Sequence, residues 1–341
     1  MGADYDAVII GSGFGGSINA LRLAQARRSV LVLERGRRYE PGEVPRDVAD
    51  VRRLLWRYPL EQRSRGLYEV RFFSDIATVV ASGVGGGSLI YANIHIRPDA
   101  SVFEHPSWPD SIRLAQLDPH FDKVARELRV SPVPPEIKIV KREAFRDAAN
   151  RLGRAIFDPD EAVEWDKCEF VGECEFGCQY GAKNTLDRTY LAKAERLGAC
   201  VQTAANVRHI EPQEGGYRVY FTNLDEDSCA SVTGTRVVVS AGTLGTNEIL
   251  LRSRDVTRTL PAISHRLGHG YSGNGDFLGS IQNASHELVP WAGPDVTSVI
   301  RFDAETPFTM AAPGLSQRAV EVLASLGQFD GRLLRFLGPI M

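Results

Sequence analysis

Residues 5–36 read YDAVIIGSGFGGSINALRLAQARRSVLVLERG, and they constrain the fold more than any other stretch of the chain. The short apolar run Val8–Ile10 leads into Gly11, Gly13 and Gly16, the spacing G-x-G-x-x-G. A helical pattern follows through Ile18, Leu21 and Leu23, and a second apolar run, Val30–Leu33, closes on Glu34. Strand, tight turn, helix, strand and terminal acid are the context in which that glycine spacing has a mechanism. One glycine permits the turn, one lets backbone approach a pyrophosphate, and one lets helix and strand pack closely. The phosphates then sit at a helix N-terminus, where free N–H groups and the dipole favour anions. An acid at position 34 suits ribose hydroxyls and disfavours a 2′-phosphate. The pattern predicts an ADP-containing dinucleotide on a Rossmann-like α/β domain.

The rest of the composition narrows the class. A length of 341 residues suggests about two domains with ample material for a core. A net charge of −3, with no basic block, gives no electrostatic case for nucleic acid. The apolar runs fall short of the roughly 20 residues of a membrane span, so no transmembrane segment is expected. Asp4 and Asp6 stand where a secretory signal needs basic and then apolar residues, so no signal peptide is read and a cytoplasmic location is expected. Five cysteines, an odd number with three clustered, do not resemble a secreted disulfide framework.

Further along, Val79–Leu89 forms a second glycine-dense turn around Gly83, Gly85, Gly86 and Gly87. Residues 51–75 show no clean periodicity. Helical patterns are predicted over Leu114–Leu128, Arg142–Leu152, Leu186–Leu197 and Thr246–Arg252, and strands over Val201–Ile210, Tyr217–Thr222 and Thr235–Ser240. The last strand runs into Ala241-Gly242-Thr243 and then a helix, so strand, small-residue turn and helix recur late in the chain. An NAD-binding domain is usually completed in one continuous block. The late return and the second glycine cluster instead suit a larger ligand, where crowded backbone passes close to a bulky ring system.

Five ordered blocks, GSGFGGSINALRLAQ, GVGGGSLIYAN, GECEFGCQYGAKNTLDRTYLAKAERLGA, VVVSAGTLGTNEILLRS and LGHGYSGNGDFLG, resemble the glucose–methanol–choline oxidoreductases, with the nearest likeness to their cholesterol-oxidase-like branch. The resemblance spans roughly residues 4–280. It implies FAD as cofactor, and oxidation of an alcohol by hydride transfer to the flavin while a base takes the hydroxyl proton. The implied fold is a discontinuous Rossmann-like FAD-binding domain over 1–40 and 185–275, with 76–97 as a flavin-contacting segment. A second, α+β substrate-facing domain then covers 41–184 and 276–341, and the chain is C-terminally shortened. Carried over block by block, Gly11, Gly13, Phe14, Gly15 and Gly16 are expected on the pyrophosphate, and Glu34, with Arg35 beside it, on the adenosine ribose. Gly83, Gly85, Gly86 and Ser88 are expected along the flavin-side phosphates. Tyr91, Ala92, Asn93 and Ile94 are expected beside the isoalloxazine, Val207 at the adenine, and Ala241 and Gly242 at the nearby ribose–phosphate. The chain has Tyr91-Ala92-Asn93 where secreted sterol oxidases of this type tend to carry Asn-Gly-Gly, so the alcohol is a sterol or another class.

The family's His-Pro-x-Gly-Gly block, which carries its catalytic histidine, is not found. His105-Pro106-Ser107-Trp108 lacks the glycines, and His95, His120, His209, His265, His269 and His286 show no acid–base partner in the sequence. Each reads as a satisfied or solvent-exposed histidine, and no catalytic residue is assigned. Cys168, Cys174 and Cys178 have the spacing C-x5-C-x3-C, with Val171 where a fourth cysteine would be expected, and no metal is assigned to them. Three further readings stand beside alcohol oxidation: a flavin dehydrogenase that passes electrons to an iron–sulfur centre or carrier, a flavin-binding fragment without activity, and one half of a two-chain enzyme. The apolar tail Val320–Met341 is expected to be covered by this chain, by a partner chain supplying the missing part, or by a membrane surface.

Overall fold

The computed structural model describes residues 3–46, 51–58, 61–74, 76–273, 288–302, 308–314 and 316. The tail Val320–Met341, His286 and the Gly275-Asp276-Phe277 stretch lie outside the described residues. The chain divides into two compact units, one built from 1–89, 186–280 and 326–341, the other from 90–185 and 281–325.

The first unit is organised by a six-stranded sheet. Strand β1 (Tyr5–Ile10), helix α1 (Phe14–Gln25) and strand β2 (Val30–Leu33) form the opening unit. Strands β3 (Cys200–Gln202), β4 (Ala205–Gln213), β5 (Gly216–Asn223) and β6 (Ser228–Val239) follow, and then helix α2 (Gly242–Leu251). The order across the sheet is β3-β2-β1-β6-β5-β4. The first four are parallel, while β6, β5 and β4 form an antiparallel meander. Strand β6 belongs to both arrangements: Ser228–Gly234 pairs with β5, and Gly234–Val239 pairs with β1.

Burial explains the composition of these strands. Parallel strands covered on both faces read as continuous apolar runs, and Val8, Ile9 and Ile10 on β1 and Val30–Leu33 on β2 are all buried. Val8, Ile10, Leu31 and Leu33 pack against Ala205, Val207, Ile210, Val219 and Phe221 of the meander and Ile249 of α2. Helix α1 covers the other face, where Gly16 lies against Ile9.

Three predicted elements differ in an instructive way. The strand expected over Val201–Ile210 divides at Thr203-Ala204, with Ala204 in a left-handed conformation (φ +54°). There the chain leaves the parallel sheet and starts the meander, while Glu34 still bonds both sides of the break through Gln202 O (2.8 Å) and Ala205 N–H (2.9 Å). The helix expected over Leu186–Leu197 opens as a π-helical turn, Asp187–Leu191, in which Leu191 N–H reaches back to Leu186 O (2.8 Å). Helix α2 begins at Gly242, four positions before the predicted start. Residues 51–75, without clean periodicity in the sequence, supply an antiparallel pair, Trp56–Tyr58 with Glu61–Arg65, and the strand Tyr68–Phe72, which pairs with Ala77–Ala81.

The second unit contains the helices Leu114–Leu128 and Val140–Arg151, close to their predicted bounds. A three-stranded antiparallel sheet places Val296–Phe302 between Phe308–Pro313 and Ile156–Phe157. A short antiparallel pair joins Ile94–His95 to Asp160–Glu161. Among the described residues no helix is long and apolar enough to cross a membrane.

Candidate functional site

In the first unit, the carboxyl ends of β1, β2 and β6 converge on one edge of the sheet, the position where open parallel sheets bind ligands. The turn after β1 is closed by Gly11 N–H on Leu33 O (2.9 Å) and Ser240 N–H on Ile10 O (2.8 Å), which fixes it between the ends of β2 and β6. Helix α1 follows directly on Gly13, and among the described residues no side chain caps its first N–H groups, the arrangement that favours an anion. A Cβ on Gly16 would stand 1.9 Å from Gly11 O, so only glycine lets the helix close on the turn. Gly15 lies beside the Ser240 hydroxyl, and Phe14, 41% exposed, projects from the first turn of the helix.

The second glycine cluster meets the first directly. Gly86 has φ +54°, and a Cβ there would stand 2.7 Å from Gly13 Cα, so the two loops cross backbone on backbone. Ser12, with no solvent exposure, joins them through its side chain. Its N–H and Oγ–H both donate to Glu34 Oε2 (3.0 and 2.6 Å), and its Oγ accepts Gly85 N–H (3.1 Å). Gly36 N–H donates to Glu34 Oε1 (2.9 Å). A carboxylate offers about four acceptor positions, so these three bonds leave one for an outside hydroxyl. Ser88 Oγ donates to Gly85 O (2.8 Å) and accepts Leu186 N–H (3.0 Å), anchoring the far end of the loop on the π-helical turn.

The remaining expected residues of this unit take different places. Ala241 and Gly242 open α2 beside Gly11, with open space around Gly242. Val207 is buried in the core between meander and sheet, next to a bulge in the β4–β5 pairing. Arg35 turns to Glu69 (2.5 Å) and lies 4.9 Å from the centroid of Trp56, away from the Glu34 carboxylate. Glu69 also pairs with Arg71 (2.9 Å), which reaches Glu248 on α2.

The second unit holds Tyr91, Ala92, Asn93 and Ile94. Asn93 is left-handed (φ +68°) and fully buried, its carbonyl accepts Ala162 N–H (2.9 Å), and its side-chain amide finds no partner among the described residues. Tyr91 Oη lies 3.2 Å from His95 Nε2, with the rings edge-on at 5.9 Å. Burial holds the Tyr91 phenol well above the ordinary tyrosine range, with Glu161 adding to it, and burial lowers His95 against the pull of Asp160. This hydroxyl–imidazole contact answers the missing partner of His95. Its only sequence signal is the four-residue spacing Tyr-x-x-x-His.

A buried ionisable cluster surrounds this segment within the same unit. Lys183 Nζ donates to Tyr91 O (2.5 Å) and Cys174 O (2.9 Å) and lies 4.8 Å from the Tyr91 ring centroid. Burial lowers its ammonium to about 8, although Cys174, Cys178, Glu175 and Asp295 all pull the other way. Burial and Asp295 raise Glu175 to about 8, and Glu175 shares a hydrogen bond with Asp295. Glu161 is fully buried, neither carboxylate oxygen is hydrogen-bonded among the described residues, and burial followed by the Asp295 charge raises it well above the carboxylate range. Lys141 Nζ is held by Pro294 O (2.7 Å) and Asp295 O (2.9 Å).

The cysteines belong to the same surroundings. Burial pushes the Cys174 thiol up to about 12 and the Cys168 thiol up to about 11, away from the thiolate a metal needs. All five cysteines are free. Among the described residues no group of three or more His, Cys, Asp or Glu side chains is arranged to hold a metal.

An open parallel sheet with crossed glycine loops at its carboxyl edge defines a dinucleotide-binding α/β protein. Comparison with known proteins gives the family. Residues 5–268 match the model of the GMC oxidoreductases, the glucose–methanol–choline family. A cholesterol oxidase of Mycobacterium tuberculosis is 32% identical over 358 aligned residues, covering 96% of this chain and 61% of that protein. A cholesterol oxidase of Acinetobacter baumannii is 29% identical over 342 residues, covering 89% of this chain and 60% of that protein. Among solved structures, a fungal aryl-alcohol oxidase superposes with a TM-score of 0.53 at 16% identity, over 74% of this chain and 48% of that one, a likeness of fold.

The chain belongs to the GMC oxidoreductase family. It spans about 60% of the length of the cholesterol oxidases it matches. The members of this family are FAD-binding flavoproteins. The first unit fits that cofactor: the loop crossing at Gly13 and Gly86 has no side chain to block a pyrophosphate, and Glu34 keeps an acceptor for a ribose hydroxyl.

Proposed function

We propose that this chain is the FAD-holding part of an oxidoreductase that oxidises the CH–OH group of an alcohol, sterol-like alcohols included. The observation that carries this reading is the crossing of the two glycine loops beside the Ser12–Glu34 pair, in a chain similar to two cholesterol oxidases. Bound FAD supplies a hydride acceptor; the chain must bind, orient and keep protons in place.

In this reading the start of α1, where no side chain caps the helix, and the Gly83–Ser88 loop lie along the pyrophosphate, and Glu34 accepts from the adenosine ribose. Residues 1–40 and 185–275 are the FAD-binding domain, 76–97 its flavin-contacting segment, and 41–184 with 276–341 the substrate-facing domain. Tyr91, Ala92, Asn93 and Ile94 line the ring end of the cofactor. Lys183, bonded to Tyr91 O, keeps the Tyr91 backbone in place. His95, kept neutral by burial and 3.2 Å from the Tyr91 hydroxyl, can take a proton at Nε2 through that hydroxyl.

The test is direct. The purified chain is expected to show a flavin absorption spectrum, to release about one FAD on denaturation, or to bind added FAD in calorimetry. Anaerobic addition of cholesterol or a long-chain alcohol is then expected to bleach the bound flavin. A chain that neither retains nor binds FAD would remove the reading; one that binds FAD without bleaching would restrict it to cofactor binding.

A further inference from the structure

The second position of a G-x-G-x-x-G turn is unconstrained by the motif itself, yet here it is filled by a buried serine that contacts two distant segments. Ser12 Oγ donates to Glu34 Oε2 at 2.6 Å, accepts Gly85 N–H at 3.1 Å, and has Gly83 O at 3.3 Å as a second possible acceptor. A hydroxyl has one proton, so it serves Glu34 or Gly83 but never both. A charged acceptor at the shorter distance wins. A hydroxyl that donates strongly also becomes a better acceptor, because hydrogen bonds in a chain polarise one another. The Gly85 N–H bond is therefore strongest when the Glu34 carboxylate is charged and held in place.

We propose that Ser12 is a positioning residue that couples the two ends of the dinucleotide site, so that occupancy of the Glu34 end sets the Gly83–Leu89 loop. The inference rests on the FAD reading, in which Glu34 takes the ribose and the loop lies on the flavin-side phosphates. A ribose hydroxyl on the remaining Glu34 acceptor pins the carboxylate against Ser12, and Ser12 passes the constraint to Gly85. The loop is poised to receive it. Gly85 and Gly86 are both left-handed (φ +107° and +54°), and inside the loop Gly86 N–H bonds Gly83 O (2.9 Å) while Ser88 N–H makes only a 3.3 Å contact to Gly85 O. The adenosine half of the cofactor thus prepares the site for the flavin half.

Hydrogen exchange of the intact chain with ADP tests this, because ADP carries the adenosine end and no flavin. Wild-type chain saturated with ADP, as followed by calorimetry, is expected to slow exchange across the Gly83–Leu89 peptide about tenfold. Ser12→Ala is expected to bind ADP within a few-fold of wild type and to lose that protection, while Ser12→Thr, which keeps the hydroxyl, restores it. Ser12→Gly, also without a hydroxyl, replaces Ser12→Ala should the latter fail to fold. ADP binding with equal protection in wild type and the hydroxyl-less variant overturns the coupling alone. Loop protection that is weaker without ADP but rises by the same factor with it assigns Ser12 a structural role only, and also overturns the coupling. Failure of wild-type chain to bind either ADP or FAD overturns the coupling together with the cofactor reading beneath it.

Discussion

Replacing Lys183 by methionine is expected to alter stability by an amount that depends on pH. Burial lowers the Lys183 ammonium from 10.5 to about 8, a difference worth about 3 kcal/mol against the charged form. A folded value below the unfolded one means that the folded chain holds this proton more weakly. The resulting cost is fully present below pH 8 and fades as pH rises towards 10.5. Near neutral pH, Lys183→Met removes that cost. It also strips the partner from Tyr91 O and Cys174 O, at about 1–3 kcal/mol for each buried carbonyl left unpaired. The two effects nearly cancel. At higher pH wild-type Lys183 is neutral, the relief disappears, and the lost hydrogen bonds remain. One proton changes stability by about 1.4 kcal/mol per pH unit, so the variant should fall behind wild type by about 2 kcal/mol between about pH 7.5 and about pH 9.5. Glu175 acts in the same direction, because losing its cationic neighbour raises it further. The shifts of Cys168 and Cys174 occur in both proteins and drop out of the comparison to first order. Denaturant unfolding at the two pH values, followed by tryptophan fluorescence, measures it. Three of the four tryptophans, Trp108, Trp165 and Trp291, lie in the second unit, which also holds this cluster. An equal difference between variant and wild type at both pH values would refute the buried-ammonium argument.

Gly16→Ala places a methyl 1.9 Å from Gly11 O and should cost about 3 kcal/mol in denaturant unfolding, with loss of bound FAD. Glu34→Gln keeps the shape of the side chain but replaces one acceptor oxygen by a donor facing Ser12 or Gly36. Calorimetry should show ADP bound about tenfold more weakly, the equivalent of about 1.4 kcal/mol. With iodoacetamide at mildly alkaline pH, peptide mapping should find exposed Cys200 and Cys229 alkylated well before Cys174 and Cys168, whose thiols burial holds at about 12 and 11. Early labelling of Cys174 would show that its surroundings are not closed.

The parts legible in the sequence were those in which one local rule acts. The run from Tyr5 to Glu34 announces strand, turn, helix and strand because both faces of β1 and β2 are buried and the glycines have steric work between them. Ser12 was invisible, since the motif leaves its position open and its partners lie 22 and 73 residues away. The strand Tyr68–Phe72 falls in a stretch without clean periodicity, and its Glu69 is buried between Arg35 and Arg71, held by charge pairing that a local window does not contain. The cluster of Lys141, Glu161, Glu175, Lys183 and Asp295 draws on several separate segments, and no window of sequence contains it. Arg35 was grouped with the cofactor from its place beside Glu34, but neighbours on a strand end point apart, and its guanidinium stacks by Trp56.

The double membership of β6 has a consequence for how the chain is made. Strand β1 finds its partner on one side within the first 33 residues, but on the other side Tyr5 waits for Gly234, 229 positions later. A ribosome working at about 5–20 residues per second needs roughly 11–46 s to cover that distance. Throughout that interval one edge of a strand whose Ala7–Ile10 run is buried in the fold stands unpaired, a template for any other extended chain. When β6 emerges it must satisfy β5 and β1 along one continuous backbone, so the meander cannot settle without fixing the register of the parallel layer. The nascent first unit is thus a natural client for a chaperone that shields strand edges until the 239th residue has been added.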